Sequence, residues 1–276
     1  MAVNRNVVTA PSGPSASTIG GETAKIQFFT HGQSTILKKS LLIAGIVFIV
    51  VCAIGFGINQ WVIGLINTDI EVAASTLLTL YIVSMVGLII TMVLVFLIRR
   101  RITTVSTTFI VISYVIYCAV AAIVTGILFT AFALTWPGNE YLKHIIYVFG
   151  IMGGIFFLAG LIGMFVSDAV LASIGKFIMI IFIVYMIGFL IVIFPFAFGV
   201  AGFDSGLVVI YLIGGVLDIL YIIYEVGTIK RMEPFVRAQT ADVQFKIVLM
   251  CAFAFTVDLF QLLWRIGYLY LQMQRR

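Results

Sequence analysis

The sequence predicts an all-α membrane protein, a bundle of seven transmembrane helices with the last helix central. Hydrophobic residues fill 63% of its 276 positions and charged ones only 10%. That charge is far below the roughly 25% of soluble domains, too little polar material to cover a water-facing surface. Seven apolar runs each reach the length that a helix needs to cross the bilayer core: about 20 residues, at a rise of about 1.5 Å each, for about 30 Å of hydrocarbon. The runs lack the alternation of a barrel strand, which leaves helices as the way to satisfy every backbone group in lipid.

The runs are 41–66, 74–98, 108–134, 144–166, 177–198, 204–228 and 247–271. Ahead of them, residues 1–37 are expected to form a disordered cytoplasmic tail rich in Ser, Thr, Gly, Pro and Asn, with amphipathic character only around Ile26 to Phe29. The transmembrane domain is expected over 38–276. Its first run follows Lys38 and Lys39 and is too long for a signal-peptide core, so it reads as a retained span. Trp61 and Trp136, the latter beside Pro137 and Gly138, mark interfacial loop ends. Gly150, Gly154, Gly160 and Gly163 put small residues on the fourth helix, where backbones can approach closely. Pro195 is expected to kink or end the fifth.

Orientation follows from Lys and Arg. With the N-terminus cytoplasmic, the inner segments hold Arg5, Lys25, Lys38, Lys39, Arg99, Arg100, Arg101, Lys176, Lys230, Arg231, Arg237 and Lys246, twelve of the sixteen basic residues. The outer loops hold Lys143, with Asp69, Glu71, Glu140 and Asp204 at or beyond the outer edge. Arg275 and Arg276 then fall outside, against the rule. Seven full spans are expected, a re-entrant last segment being the alternative. With no eukaryotic targeting signal in view, a bacterial cell membrane is the expected location.

Several functions are disfavoured. The net charge of +5 is not gathered into an aromatic-interleaved basic patch, so no nucleic-acid partner is expected. Cys52, Cys118 and Cys251 lie in apolar stretches without CxxC spacing, and His31 and His144 are isolated, so no zinc cluster is in view. An enzyme is not expected: there is no GxGD-type turn for intramembrane proteolysis and no lysine within 247–271 for a retinal Schiff base. No inverted repeat or broken-helix pair points to a transporter.

Four ionisable residues stand inside spans: Asp218, Glu225, Asp258 and Arg265. Each costs about 2.5–3.5 kcal/mol at mid-membrane on insertion scales, so each must face the bundle interior, a partner or water. Asp218 and Glu225 are seven residues apart, hence on one helix face, and Asp258 and Arg265 repeat that separation. Counting from Lys230 and Lys246, Asp218 and Asp258 each lie twelve residues in, roughly 18 Å deep, so depth alone pairs them. Glu225 would sit only about 7 Å deep. It could meet Asp258 through tilt or an earlier start of the last helix, or meet the guanidinium of Arg99 at the inner end of span two. Carboxylates that share a dry site cannot all ionise and titrate as a unit, which makes a proton sensor, a cation site, or both. The structural alternative is that the acids form salt bridges with Arg99 or Arg265 and hold the bundle together.

These residues carry a family resemblance. IIYEVGTIK (222–230), followed by an apolar run containing TVDLFQLLWRIGYLY (256–270), resembles the closing signature of the Bax-inhibitor-like family (TMBIM/YccA). FLIRRR (96–101) is similar to that family's basic exit from helix two, and GLIGMFVSDAVLASIGKF (160–177) to its link between helices four and five. The resemblance covers most of the chain from about residue 40 and is specific in the last fifty or so. It implies that Glu225 and Asp258 form a di-acid pH sensor, with Arg99 at the basic position, in a pH-dependent calcium leak. For some members it implies cell-death suppression or modulation of membrane-protein quality control. Here Glu stands for the usual Asp at 225, Arg265 comes three residues early, the loop between the acids is long, and Asp218 is an extra acid.

Calcium takes six to eight oxygen ligands, and two carboxylates supply at most four. Glu225 and Asp258 would therefore make only a weak calcium site, which suits conduction, and no other cofactor is expected. The expected partners are the lipid bilayer, calcium or other cations, and protons. The competing reading is a non-conducting interaction protein docked on a membrane protease or another membrane-protein complex.

Overall fold

Apolar runs flanked by capping residues become seven consecutive helices in the computed structural model, which describes residues 35–100, 105–197 and 204–274. They are α1 (Thr35–Thr68), α2 (Ile70–Arg100), α3 (Thr107–Thr135), α4 (Glu140–Phe165), α5 (Asp168–Ala197), α6 (Asp204–Arg237) and α7 (Ala241–Gln274). All seven are long and apolar enough to cross a membrane. The predicted tail lies outside the described residues up to residue 34, and α1 begins within its last turn, burying Ile36 and Leu37.

Local chemistry sets the boundaries. Asp69 alone separates α1 from α2; its carboxylate accepts from the amides of Glu71 (3.0 Å) and Val72 (3.1 Å), an N-cap for the second helix. Ser106 caps α3 by accepting from the Phe109 amide at 3.2 Å. Between α3 and α4 the chain turns at Gly138, whose φ of 71° lies in the left-handed region that favours glycine. Pro195 lies within the last described turn of α5.

Successive helices alternate direction. The near end of the bundle carries the start of α1, the end of α6 and the start of α7; the far end carries the α3–α4 turn and the end of α7. The basic residues assigned to one side of the membrane at 38, 39, 176, 230, 231, 237 and 246 stand toward the near end. α7 is one continuous helix of 34 residues, about 51 Å long, enough to cross the hydrocarbon core in one pass, with no break at which the chain turns back.

α7 is the central helix. It packs against α1, α3, α4 and α6, and 72% of its most apolar stretch is buried, against 11% for α5 and 12% for α2. Phe253, Phe255 and Phe260 are fully enclosed, with Phe253 stacked on Tyr114 and Phe260 against Phe48. The outer faces of α2 and α5 present Ile82, Ile89, Ile180 and Ile187, an apolar rim of the kind a lipid bilayer solvates.

Close helix approach is more selective than the glycine stretch in α4 predicts. A Cβ on Gly163 would lie 2.7 Å from the Ile223 carbonyl oxygen of α6, so a glycine is needed there. Gly150, Gly154 and Gly160 have nothing within 4 Å of a built Cβ and stand on an open face. Another tight crossing joins α1 and α3, where Gly55 meets Thr125 and Gly126 meets Ile58.

Candidate functional site

Of the four mid-span charges, Asp218 of α6 and Arg265 of α7 meet across the seam, and Glu225 and Asp258 lie farther along the same two helices. Asp218 is buried, and its Oδ2 is 2.9 Å from Nε of Arg265, whose side chain is 12% exposed. The contact is an ion pair whose N–H does not point along the line to the oxygen. Depth counting pairs Asp218 with Asp258; the register pairs it with Arg265 instead. The reason is visible at the near end, where the Gln244 amide donates to the carbonyl oxygens of Arg237 and Gln239. The first turn of α7 therefore runs beside the end of α6, which offsets the two depth scales, and the long arginine side chain spans what remains.

The seat of Arg265 is built by two further residues. A Cβ placed on Gly214, one turn before Asp218, would fall on the guanidinium Nη1, so only glycine leaves room for it. Tyr185 of α5 covers the guanidinium from outside, its ring centre 4.9 Å from Cζ, a cation–π contact strengthened by the loss of water. Tyr211 and Tyr268 stack beside this seat, with centroids 4.2 Å apart.

The same ion pair fixes the level of the remaining acids. Glu225 lies seven residues past Asp218 on α6, and Asp258 seven residues before Arg265 on the antiparallel α7. Seven residues are nearly two full turns, so each acid shares its helix face with the ion-paired residue. Glu225 and Asp258 thus come to one level of the seam, to within a helical turn, about 10 Å nearer the near end than the ion pair. Asp258 is buried and Glu225 half-buried. Tyr117 of α3 is buried at this level, with its hydroxyl in electrostatic reach of both Asp258 and Asp218.

Toward the near end, α6 is tethered to its neighbours. Lys230 donates to the Met164 carbonyl oxygen at 2.7 Å, Arg231 meets Asp168 at 2.7 Å, and buried Glu233 accepts from the Thr35 amide at 2.7 Å and from Arg237. The side chain of Arg99, expected as a basic partner for Glu225, lies outside the described residues. Among the described residues no three His, Cys, Asp or Glu side chains gather as a metal site. Glu225 and Asp258 supply at most four oxygens, fewer than the six to eight that a calcium ion takes.

Tyr117, Tyr185 and Gly214 escaped the sequence reading. Gly214 left a signal: a glycine four residues before a mid-span acid, on the same face, makes space for that acid's partner. The tyrosines left none, because an aromatic residue in an apolar run is ordinary packing until its neighbour is known.

No protein-family model matches this chain, and no curated protein matches it.

Proposed function

We propose that this protein is a non-enzymatic, pH-sensitive cation leak, with calcium the first cation to test, and that Glu225 and Asp258 take up the proton or the cation. One observation carries the reading: Arg265 is committed to Asp218, while the register brings the other two acids level with each other. Two carboxylates brought to one level of a membrane-spanning seam repel each other when both are ionised, which favours uptake of a proton or a cation there. Protonation discharges the level and lets α6 and α7 close on it. Deprotonation gives an attractive but incomplete ligand set, so a cation enters and leaves. The likeness of 222–230 and 256–270 to the Bax-inhibitor-like signature supports the same assignment, as does the placement of Glu225 and Asp258 on the two helices that signature covers. The concentration of basic residues at the near end supports a cytoplasmic N-terminus in a cell membrane.

Calcium uptake into proteoliposomes tests the proposal. The wild type is expected to admit calcium at a rate that varies with pH. Glu225→Gln and Asp258→Asn are each expected to lower that rate by about tenfold or more and to flatten its pH profile. Wild-type uptake in both variants would remove the mechanism.

A further inference from the structure

Between the Glu225–Asp258 level and the far end, α7 packs on one side against α6 and on the other against α1 and α3. Along the α6–α7 seam a cation meets the guanidinium of Arg265 about 10 Å on, fixed by Asp218 and covered by Tyr185. On the other side of α7, against α1 and α3, no such charge intervenes: α3 has no charged residue, and α1 has none from Ser40 to Thr68.

That side carries polar groups where packing alone would favour apolar ones. Asn59 is fully buried on the α1 stripe that runs through Ser40, Phe48 and Gly55, whose members touch Val248 and Phe260 of α7 and Thr125 of α3. Neither the nitrogen nor the oxygen of its amide has a hydrogen-bond partner among the described residues, and the same holds for the hydroxyl of buried Tyr117. Between their levels, the Trp264 indole donates to Thr125 at 3.2 Å. Toward the far end, Gln60 donates to Tyr141 at 3.0 Å, and the His144 ring meets the Tyr270 hydroxyl at 2.8 Å. Buried amides and hydroxyls that protein atoms leave unsatisfied are the groups that internal water binds.

We propose that Asn59 and Tyr117 hold internal water in the seam between α1, α3 and α7, and that this hydrated column is the far-end arm of the path from Asp258. As an arm of the path it rests on the leak reading above; as a water site it stands alone. Arg265 then has a second effect, turning cations away from the α6–α7 seam and onto this side of α7.

Hydroxyl-radical footprinting of the reconstituted full chain reads water beside individual side chains. After correction for intrinsic reactivity, Tyr117 and Trp264 are expected to be oxidised at least about fivefold faster than the enclosed Phe255. Asn59→Leu and Tyr117→Phe are each expected to slow oxidation of Trp264 several-fold, with an unchanged melting temperature showing that each variant is folded. Protection of Tyr117 and Trp264 to the level of Phe255, or labelling of Trp264 that neither substitution alters, overturns the water site. Calcium flux separates the two claims. A several-fold loss in Asn59→Leu with its pH profile intact supports the arm. Full flux in Asn59→Leu, when the acid variants fail, overturns the arm but not the leak. Absence of flux in the wild type removes the leak and the arm with it, and the footprint then decides the water site.

Discussion

The α6–α7 seam contains the same geometry twice, with opposite content. At one level a carboxylate faces a guanidinium, Asp218 with Arg265; about two turns away the register brings two carboxylates, Glu225 and Asp258, to a common level. The first level is enclosed by Gly214 and Tyr185, and its charges cancel. The second repeats the spacing and swaps the sign of one partner. Position in the membrane therefore does not decide what a buried acid does; the residue that the register delivers to it does. The ion pair ties α6 to α7 at one level, and the level that carries two acids is the one proposed to take up protons and cations.

Substitutions that break the balanced level should act on stability first. Arg265→Leu leaves Asp218 as a buried charge without its ion-pair partner and is expected to cost about 3–5 kcal/mol, seen as a large fall in melting temperature in detergent. Adding Asp218→Leu to that variant should restore most of the loss, because an apolar pair of similar volume is tolerated where half an ion pair is not. A double variant no more stable than Arg265→Leu would show that the two residues act separately. Gly214→Ala should be milder, about 1–3 kcal/mol, since the added methyl must displace the guanidinium; a neutral result would mean that the seat is not filled by Arg265. At the level of the two acids, Glu225→Gln and Asp258→Asn should leave stability within about 1 kcal/mol of wild type or raise it, because each lowers the like charge gathered there. Their effect should appear in flux. A loss of several kcal/mol from Asp258→Asn would make that acid structural and erase the contrast between the levels.

The fold was largely legible because mean hydropathy and helix length act on the same physical quantity, the thickness of hydrocarbon to be crossed. The helix ends were not. α6 continues nine residues past the predicted 228, to Arg237, and α5 begins nine before the predicted 177, at Asp168. A helix whose backbone hydrogen bonds are satisfied can extend into water, so polar residues end the apolar run without ending the helix. The site was legible as a set: all four mid-span charges were singled out by the energy of burying them. Their pairing was not. Depth counted from Lys230 and Lys246 joined Asp218 to Asp258, whereas the contact of Gln244 with Arg237 and Gln239 sets a different register. Asn59 was missed for a simpler reason. A neutral amide in an apolar run carries a small insertion penalty, and whether it has a partner depends on the neighbouring helices.

We propose that protons and cations are taken up at the Glu225–Asp258 level and not at the Asp218–Arg265 ion pair. Infrared difference spectroscopy of the reconstituted protein, recorded as pH is lowered, reads protonated side-chain carboxyls directly. The expected result is a carboxyl band in the wild type that is shifted or lost in both Glu225→Gln and Asp258→Asn and preserved when Asp218 and Arg265 are replaced together by leucine and methionine. A band that persists in both single variants and disappears with the ion pair would contradict the account.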